Sequence, residues 1–241
     1  MYKLCYYKGS NNFGDLLGPA LLDYFGIKYV SVGRSNCDLI TVGSIAQWAT
    51  NNTTVVGSGI MTRQDRIAPG SVWKSCRGPI THKHVLASGV QCPAIFGDPG
   101  VMLPILQERQ PTKHKVGIIP HYKHYTECLK KYGNNKDYYI IKISNKDPLA
   151  VAREISSCEK IISSSLHGVI AAHSYSIPAA LVTFQSRLYG DGVKFDDYYQ
   201  SVGLGMAEFS TVEKPKYTSY QKFDYNPLIE VYEELRDKQN V

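Results

Sequence analysis

One local order of elements recurs along this chain: a short β-prone segment, a glycine-rich or polar loop, and then apolar residues at helical spacing. It appears first at residues 3–7, which lead through the loop 8–15 into an apolar repeat from Leu16 to Phe25. It returns at 160–163, which precede a serine-rich loop and a strongly apolar segment. Parallel strands need a crossover connection, usually a helix, so this order predicts an α/β fold built on parallel sheets.

The predicted elements fall into two sets. A polar segment at 107–115, which contains Pro111, has the composition of a linker between them. We therefore expect two Rossmann-like parallel-sheet halves facing across a cleft, with domains at 1–110 and 111–241. The predicted strands lie at 3–7, 38–42, 53–56, 72–76 and 94–96, and then at 116–119, 138–143, 160–163 and 179–184. The predicted helices lie at 16–25, 81–87, 126–132, 147–158 and 227–238, with one more after the loop 163–168.

The composition excludes several classes of protein. Lys and Arg number 27 against 21 Asp and Glu, a formal charge of +6, but no basic run exceeds two residues, so no nucleic-acid partner is expected. No window reaches the roughly 18 unbroken apolar residues of a membrane span. The N-terminal residues lack the layout of a signal peptide, which predicts a cytoplasmic protein with reduced cysteines. The six cysteines form no C-x-x-C pair, and no metal site is expected.

The most familiar catalytic motifs are absent. The chain has no P-loop, no G-x-G-x-x-G after a strand, no H-E-x-x-H and no G-x-S-x-G. ATP hydrolysis, dinucleotide-dependent redox chemistry, zinc proteolysis and serine hydrolysis therefore lack their usual support. The candidate sites are instead the loops at the carboxyl ends of the predicted strands, where open α/β sheets bind ligands.

The strongest candidate is the loop 163–168 (Ser-Ser-Ser-Leu-His-Gly), between a buried-type strand and an apolar helix. Hydroxyls and free backbone N–H groups at a helix N-terminus suit an anion such as phosphate or carboxylate. His167 lies in the first helical turn, where an imidazole can transfer a proton to a bound ligand. The alternative interpretation is that the serines cap the helix and His167 makes only local hydrogen bonds.

Three other segments carry polar side chains that suit a ligand. The loop 11–15 (Asn-Asn-Phe-Gly-Asp) offers amides and a carboxylate for sugar hydroxyls. Arg77 follows a predicted strand and could bind a carboxylate or phosphate through two parallel hydrogen bonds. The loop 120–122 (Pro-His-Tyr) with Lys123 offers cationic and stacking contacts. Taken alone, the loop 11–15 is better explained as a turn and Arg77 as a surface arginine, while the loop 120–122 is explained as well by a polar strand-to-helix connection.

Other polar residues are predicted to be structural. His173 lies on an apolar helix face and is predicted to be a packed core histidine. The loop 97–100 (Gly-Asp-Pro-Gly) has the composition of a turn. Asp196 and Asp197 are not spaced as a metal site and are predicted to lie on a solvated helix face.

Taken together and in order, these loops resemble the polysaccharide pyruvyl transferase family. The shared series is Asn-Phe-Gly-Asp at 12–15, Gly-Ser-Gly at 57–59, Arg-Gly-Pro-x-Thr at 77–81, Gly-Asp-Pro-Gly at 97–100, Gly-Ile-Ile-Pro-His-Tyr at 117–122, Ser-Ser-Ser-Leu-His-Gly at 163–168 and Ile-Pro-Ala at 177–179. The resemblance implies two Rossmann-like halves arranged like a glycosyltransferase of the B type. It also implies that the first half binds the acceptor and the second half binds the donor.

The resemblance implies a reaction as well. Phosphoenolpyruvate would be the donor, with no other cofactor, and a saccharide or lipid-linked saccharide would be the acceptor. The product would be a pyruvate ketal of a surface polysaccharide or its precursor, made in the cytoplasm or in peripheral contact with the inner face of the membrane. The implied catalytic residues are His167, Arg77 and Asp15. The other implied site residues are Ser164, Ser165, Gly168, His121, Tyr122 and Lys123 for the donor, and Asn11, Asn12, Gly14 and Ser58 for the acceptor.

One residue departs from the family's pattern. Many members carry an arginine directly before Leu-His, where this chain has Ser165. Donor binding must then depend on hydroxyls and the helix end, or on a cation from elsewhere. The sequence offers Lys123, His121 and Arg187 as candidates for that cation.

Two other functions stay open from the residues alone. A nucleotide-sugar-dependent glycosyltransferase of the same architecture would need a carboxylate for the ribose, for which Glu154 and Asp191 are candidates. A non-catalytic carbohydrate-binding protein is compatible with the 18 tyrosines and with Ser165 in place of arginine.

Overall fold

The computed structural model describes residues 1–184, 189–220 and 223–239. The strands found in these residues are β1 (Tyr2–Cys5), β2 (Tyr29–Ser31), β3 (Leu39–Ile40), β4 (Thr54–Val55), β5 (Val72–Trp73), β6 (His114–Ile119), β7 (Tyr138–Ile140), β8 (Cys158–Ser163), β9 (Ala179–Leu181) and β10 (Tyr217–Thr218). They form one sheet of order β2-β1-β3-β4-β5 and a second of order β10-β9-β8-β6-β7. All neighbours pair in parallel except β10 and β9. The prediction of an α/β fold with two Rossmann-like halves is confirmed.

α-Helices connect β1 to β2 and the parallel strands of the second sheet, whereas loops and short 3-10 turns join β2 to β5. The helices are α1 (Phe13–Tyr24), α2 (Pro79–Ala87), α3 (Leu103–Leu106), α4 (Tyr125–Tyr132), α5 (Pro148–Ser156), α6 (Leu166–Ser174), α7 (Val193–Ser201) and α8 (Asn226–Asp237). The N-terminus of α5 shows how local sequence sets these boundaries, because Asp147 accepts a hydrogen bond from the Leu149 N–H at 2.9 Å and Pro148 occupies the first turn. Among the described residues, no helix combines the length and the apolar character that a bilayer span requires.

Some predicted elements differ from the structure for identifiable reasons. Residues 94–96 form no strand and make only one isolated bridge, between Cys76 and Phe96, because Pro93 lacks the N–H that a ladder would need. The short edge strand β2 escaped prediction because its side chains are largely exposed and carry no buried apolar pattern. Asp196 and Asp197 were expected on a helix, but the bounds of α7 escaped prediction because polar residues alternate with the apolar ones that it buries.

The two halves share a continuous hydrophobic core. α1 follows the first strand of the first half, yet it packs against α5 and α6 of the second half. Leu17 and Leu21 of α1 belong to the same buried cluster as Val169 and Ile170 of α6. This packing brings the N-terminal ends of α1 and α6 together at the carboxyl ends of the strands that precede them.

The last two helices return to the first half. α7 packs against α2, and the Tyr2 hydroxyl donates a hydrogen bond to the Leu235 carbonyl of α8 at 3.1 Å. Lys74 pairs with Glu234 of α8 at 2.8 Å. The proposed division into 1–110 and 111–241 therefore assigns to the second domain two helices that contact the first half.

Candidate active site

A cavity of about 380 Å³ lies between the halves at the carboxyl ends of β1, β3, β6 and β8, within the range of small-molecule sites. Its walls are formed by side chains from both halves. The first half contributes Tyr7, Asn12, Asp15, Arg34, Ser44, Ile45, Gln47, Trp48 and Met61, and the second contributes His121, Tyr122, Lys123, Ser165, Leu166, His167, Tyr189 and Lys194. This is the position in which open α/β sheets bind their ligands.

His167 enters the cavity from the first turn of α6. Its Nε2 lies 3.5 Å from Asp98 Oδ2, and neither buried atom has a hydrogen-bond partner in the described chain. The other carboxylate oxygen of Asp98 accepts the Gly100 N–H at 2.9 Å, which fixes the carboxylate. Asp98 thus faces Nε2, whereas Nδ1 lies against Gly14 of α1. The arrangement suits a role of His167 in proton transfer, with Asp98 orienting the imidazole.

The N-terminus of α6 presents free backbone donors beside this histidine. Ser165 is the N-cap residue, and its side chain makes no capping hydrogen bond. The N–H groups of the first turn have no partners within the helix and carry its positive dipole end. An anion in the cavity can therefore accept hydrogen bonds from the backbone at 166–168.

Asp15 reaches the cavity from the first turn of α1, in the opposite half. Its Oδ2 accepts a hydrogen bond from the Asn12 side-chain amide at 2.7 Å. Burial raises the pKa of Asp15, although the nearby His167 and the hydrogen bond from Asn12 oppose this effect. A carboxylate with a raised pKa is a stronger general base than an ordinary one.

Gly14 allows α1 and α6 to approach closely. A Cβ atom at Gly14 would lie 1.9 Å from His167 Nδ1, so no larger residue fits without displacing the imidazole. Gly14 was expected to bind the acceptor, but the structure places it against the imidazole of His167. The glycine therefore lets Asp15 and His167 share one cavity.

Lys194 of α7 supplies a positive charge that the sequence analysis did not identify. It is partly buried and makes no hydrogen bond or ion pair with any described residue. Burial and the positive charge of Arg77 lower the pKa of Lys194 to about 8, while Asp15 opposes the shift. Its ammonium group is thus available to an anionic ligand at neutral pH.

Arg77 does not line the cavity, contrary to the expected contact with a donor carboxylate. Its guanidinium is fully buried and bonds to Asp197 Oδ2 at 3.0 Å, to Ser44 Oγ at 2.6 Å and to the Ile60 carbonyl at 2.7 Å. Only Ser44 among these partners reaches the cavity wall. Arg77 therefore supports the wall from behind and cannot contact a ligand in this arrangement.

Asp197 explains why Arg77 faces inward. Its Oδ1 accepts the N–H groups of Ile80 and Thr81 at the N-terminus of α2, both at 2.9 Å, and its Oδ2 accepts the Thr81 hydroxyl at 2.6 Å. The prediction that Asp197 lies on a solvated helix face is wrong, because the residue is completely buried. Together with Arg77 it joins α7 to the first half.

The serines of the loop 163–168 have different positions: some make hydrogen bonds within the fold, and one lines the cavity. The Ser164 hydroxyl accepts the His121 N–H at 2.9 Å and so ties two loops together, whereas Ser165 lines the cavity. Gly168 lies against Ser163, whose hydroxyl a Cβ atom would approach to within 2.3 Å. Of the side chains expected at the donor site, Ser164 therefore points away from it.

The three candidates for the missing cation have different outcomes. His121 lines the cavity, but burial and the charge of Lys194 lower its pKa to about 4, so it is neutral at physiological pH. Lys123 lines the cavity and is exposed. Arg187 lies outside the described residues.

Of the residues expected at the acceptor site, one lines the cavity and the others do not. Asn12 lines the cavity and pairs with Ser144 in an isolated bridge, which connects the halves. Asn11 is exposed with a positive φ of 44°, and its carbonyl accepts the Asn145 N–H at 2.9 Å. Ser58 is fully buried and donates a hydrogen bond to the Gly43 carbonyl at 2.8 Å. Only Asn12 of these three can reach a ligand in the cavity.

His173 fits its predicted role in the core. It is buried, with Nδ1 3.1 Å from the Tyr198 hydroxyl and Nε2 3.0 Å from the Thr218 carbonyl. Glu154 and Asp191, considered for a nucleotide ribose, do not line the cavity. Glu154 accepts the Tyr139 hydroxyl at 3.0 Å, and Asp191 accepts the Arg63 N–H at 2.9 Å.

Comparison with known proteins places this arrangement in a family. The model of the polysaccharide pyruvyl transferase family matches residues 12–186, which include Asp15, Asp98 and His167 but not Lys194. An uncharacterized protein of Acanthamoeba polyphaga mimivirus is 36% identical over 174 residues, covering 68% of this chain and 59% of that protein. The succinoglycan biosynthesis protein ExoV of Rhizobium meliloti strain 1021 is 28% identical over 208 residues, covering 80% of this chain and 62% of that protein. The chain thus spans about three fifths of the length of these curated relatives. It belongs to the polysaccharide pyruvyl transferase family.

Proposed function

We propose that this protein transfers pyruvate from phosphoenolpyruvate to two hydroxyl groups of one sugar, forming a pyruvate ketal on a surface polysaccharide or its precursor. The observation that carries the proposal is the meeting of His167, Asp15 and Lys194 in one cavity between the halves. Membership of the pyruvyl transferase family supports the donor. The similarity to a protein named for succinoglycan biosynthesis supports a saccharide acceptor.

Two features of the cavity suit the anionic donor. The free N–H groups at the start of α6 donate hydrogen bonds to the phosphate, and Lys194 pairs with the phosphate or the carboxylate. Lys194 thereby takes the role that the resemblance assigned to Arg77, and it compensates for the serine at position 165. Its ammonium comes from α7, which Arg77 and Asp197 hold in place.

The proposed chemistry uses His167 as the acid. Protonated His167 delivers a proton to the methylene carbon of phosphoenolpyruvate, and a sugar hydroxyl adds to the cationic central carbon. A second hydroxyl then replaces the phosphate and closes the ketal. Overall, the two hydroxyl protons end on the new methyl group and on the departing phosphate, so atoms and charge balance. Asp15 accepts a proton from the attacking hydroxyl, which its raised pKa favours.

The direct test is the release of inorganic phosphate from phosphoenolpyruvate. We expect release to depend on an added saccharide acceptor, and the product to gain the mass of a pyruvate ketal. Phosphoenolpyruvate should raise the melting temperature of the protein, whereas nucleotide sugars should not. Stabilisation by a nucleotide sugar with transfer of its glycosyl group would replace this proposal with a glycosyltransferase, and saccharide binding without phosphate release would indicate a non-catalytic protein.

Replacing Lys194 by glutamine is expected to raise the KM for phosphoenolpyruvate by about tenfold or more, since hydrogen bonds to charged groups contribute about 1.5–3 kcal/mol. The KM of the unmodified protein should also rise above pH 8, because Lys194 is protonated below its pKa of about 8 and neutral above it. Lys194→Arg should extend tight donor binding to higher pH. Steady-state kinetics across this range check both effects.

The exposed Lys83 provides a matched control for this lysine, because it lies on α2 away from the cavity. Lys83→Gln should leave the KM for phosphoenolpyruvate unchanged. A Lys194→Gln protein with normal donor affinity would exclude Lys194 from the donor site.

A further inference from the structure

Arg34 and Trp48 form a stacked pair on the first-half side of the cavity. The guanidinium carbon of Arg34 lies 3.6 Å from the centre of the Trp48 ring, and both side chains line the cavity. Trp48 ends the short 3-10 turn Ala46–Trp48 that follows β3, and Arg34 begins another, Arg34–Asn36, that follows β2. Neither residue has a role in the donor site described above.

The charge of Arg34 has no partner of opposite sign within the described chain. Its side chain is exposed and makes neither a hydrogen bond nor an ion pair with any described residue. Stacking on an aromatic face orients a guanidinium while leaving the N–H groups at its edge free to donate. The stacked arrangement therefore presents an oriented pair of donors to the cavity, a geometry that matches carboxylate and phosphate oxygens.

The cavity wall carries more positive side chains than the proposed donor needs as partners. Arg34, Lys123 and Lys194 are positive, and Asp15 is the one acidic residue among the described lining residues. Lys194 and the start of α6 already account for the donor in the proposed function. Two cations remain, one from each half, and both lie at the exposed part of the cavity wall.

Aromatic side chains accompany this charge. The Tyr7 ring lies 6.5 Å from Trp48, and Tyr122 of the opposite half lines the same cavity. Aromatic rings supply flat apolar surface, and a hydroxyl provides a polar tip, which suits the mixed apolar and polar faces of a sugar ring. A saccharide could thus pack on this wall while a charged substituent meets Arg34.

We propose that Arg34 and Trp48 form an acceptor subsite that selects saccharides bearing their own negative charge, a carboxylate or a phosphate next to the sugar ring. This inference rests on the proposed function for the identity of the acceptor. It assigns Trp48 to the sugar ring and Arg34 to the charged group. A neutral saccharide uses only the aromatic part of the subsite and binds more weakly.

Tryptophan fluorescence and calorimetry test the subsite without requiring turnover. The chain has two tryptophans, and Trp73 is buried and bonded to Ser71, so a fluorescence change that disappears in Trp48→Phe reports on Trp48. The probes are methyl glucoside, glucuronic acid and glucose 1-phosphate. We expect both charged probes to bind at least about tenfold more tightly than the neutral one, the scale of a charge-assisted contact. The difference between the two charged probes identifies carboxylate or phosphate as the preferred group.

Replacement of Arg34 by glutamine should remove this preference while leaving the affinity for methyl glucoside unchanged. The matched control is Arg66→Gln, because Arg66 is exposed and does not line the cavity. The preference should persist in Lys194→Gln, which separates the acceptor subsite from the donor site. Calorimetry with Trp48→Phe should show weaker binding of all three probes.

Several results would overturn the inference. Equal affinity for the charged and neutral probes would do so, as would an unchanged preference in Arg34→Gln or the absence of binding by either charged probe. Loss of the preference in Lys194→Gln alone would assign the charged probes to the donor site. A chain that shows the Arg34-dependent preference but never releases phosphate from phosphoenolpyruvate would retain this subsite and lose the proposed function.

Discussion

Replacement of His167 by glutamine is expected to reduce pyruvate transfer by about 10²- to 10⁴-fold, the usual contribution of a general acid or base. Glutamine preserves the size and polarity of the side chain but cannot donate a proton to the methylene carbon. The loss should appear in kcat, because the α6 N–H groups and Lys194 still bind the donor. Measurement of kcat and KM for phosphoenolpyruvate separates the two effects, and a thermal melt confirms that the variant is folded.

Two further variants sharpen this test. Asp98→Asn keeps an oxygen for the Gly100 N–H but removes the negative charge opposite His167 Nε2, so it should also lower kcat. His114→Gln is the control, because His114 begins β6 at the end of the sheet away from the cavity. It should retain full turnover. Near-normal turnover by His167→Gln would remove His167 from the mechanism.

The sequence was sufficient to predict the class of fold and the loop that carries the histidine. Parallel strands buried on both faces produce continuous apolar segments such as the end of β8, and a polar loop after such a strand marks a ligand-binding edge. His167 and Asp15 were identifiable because each follows a strand and opens a helix. Each of these signals depends only on residues that are neighbours in the chain, so it can be recognised from the sequence alone.

The role of Arg77 could not be predicted because its partner is distant in the chain. An arginine after a strand has the same local pattern whether it faces a cavity or the core. The decision depends on Asp197, which is 120 residues away and reaches α2 only because α7 returns to the first half. Lys194 was missed for the same reason, since it shares that helix.

Because α7 packs against the first half, the cavity wall includes a residue that is distant in sequence from the rest of that half. Lys194 is carried by a helix that lies between β9 and β10 of the second sheet in sequence but packs against α2 of the first half. The pairing of Arg77 with Asp197 joins that helix to α2 behind the cavity wall. We therefore infer that Arg77 is a positioning residue, which acts on the proposed donor site through the placement of Lys194.

Replacement of Arg77 by methionine is therefore expected to lower the free energy of unfolding by about 3–5 kcal/mol, the cost of leaving one member of a buried ion pair unpaired. The side chains of both partners are fully buried, so solvent cannot compensate the Asp197 charge. The exposed pair of Arg63 and Asp191 is the control, and Arg63→Met should cost only about 0–1 kcal/mol. Urea unfolding measures both values.

The double variant Arg77→Met with Asp197→Asn distinguishes an uncompensated charge from lost packing. Asparagine keeps an acceptor for the Ile80 and Thr81 N–H groups but carries no charge, so the double variant should be more stable than Arg77→Met alone. Displacement of α7 should meanwhile raise the KM for phosphoenolpyruvate in Arg77→Met more than it changes kcat. If Arg77→Met were as mild as Arg63→Met, the pair would not hold α7, and the placement of Lys194 would need another explanation. A double variant no more stable than the single one would assign the loss to packing, because the charge of Asp197 would then contribute nothing.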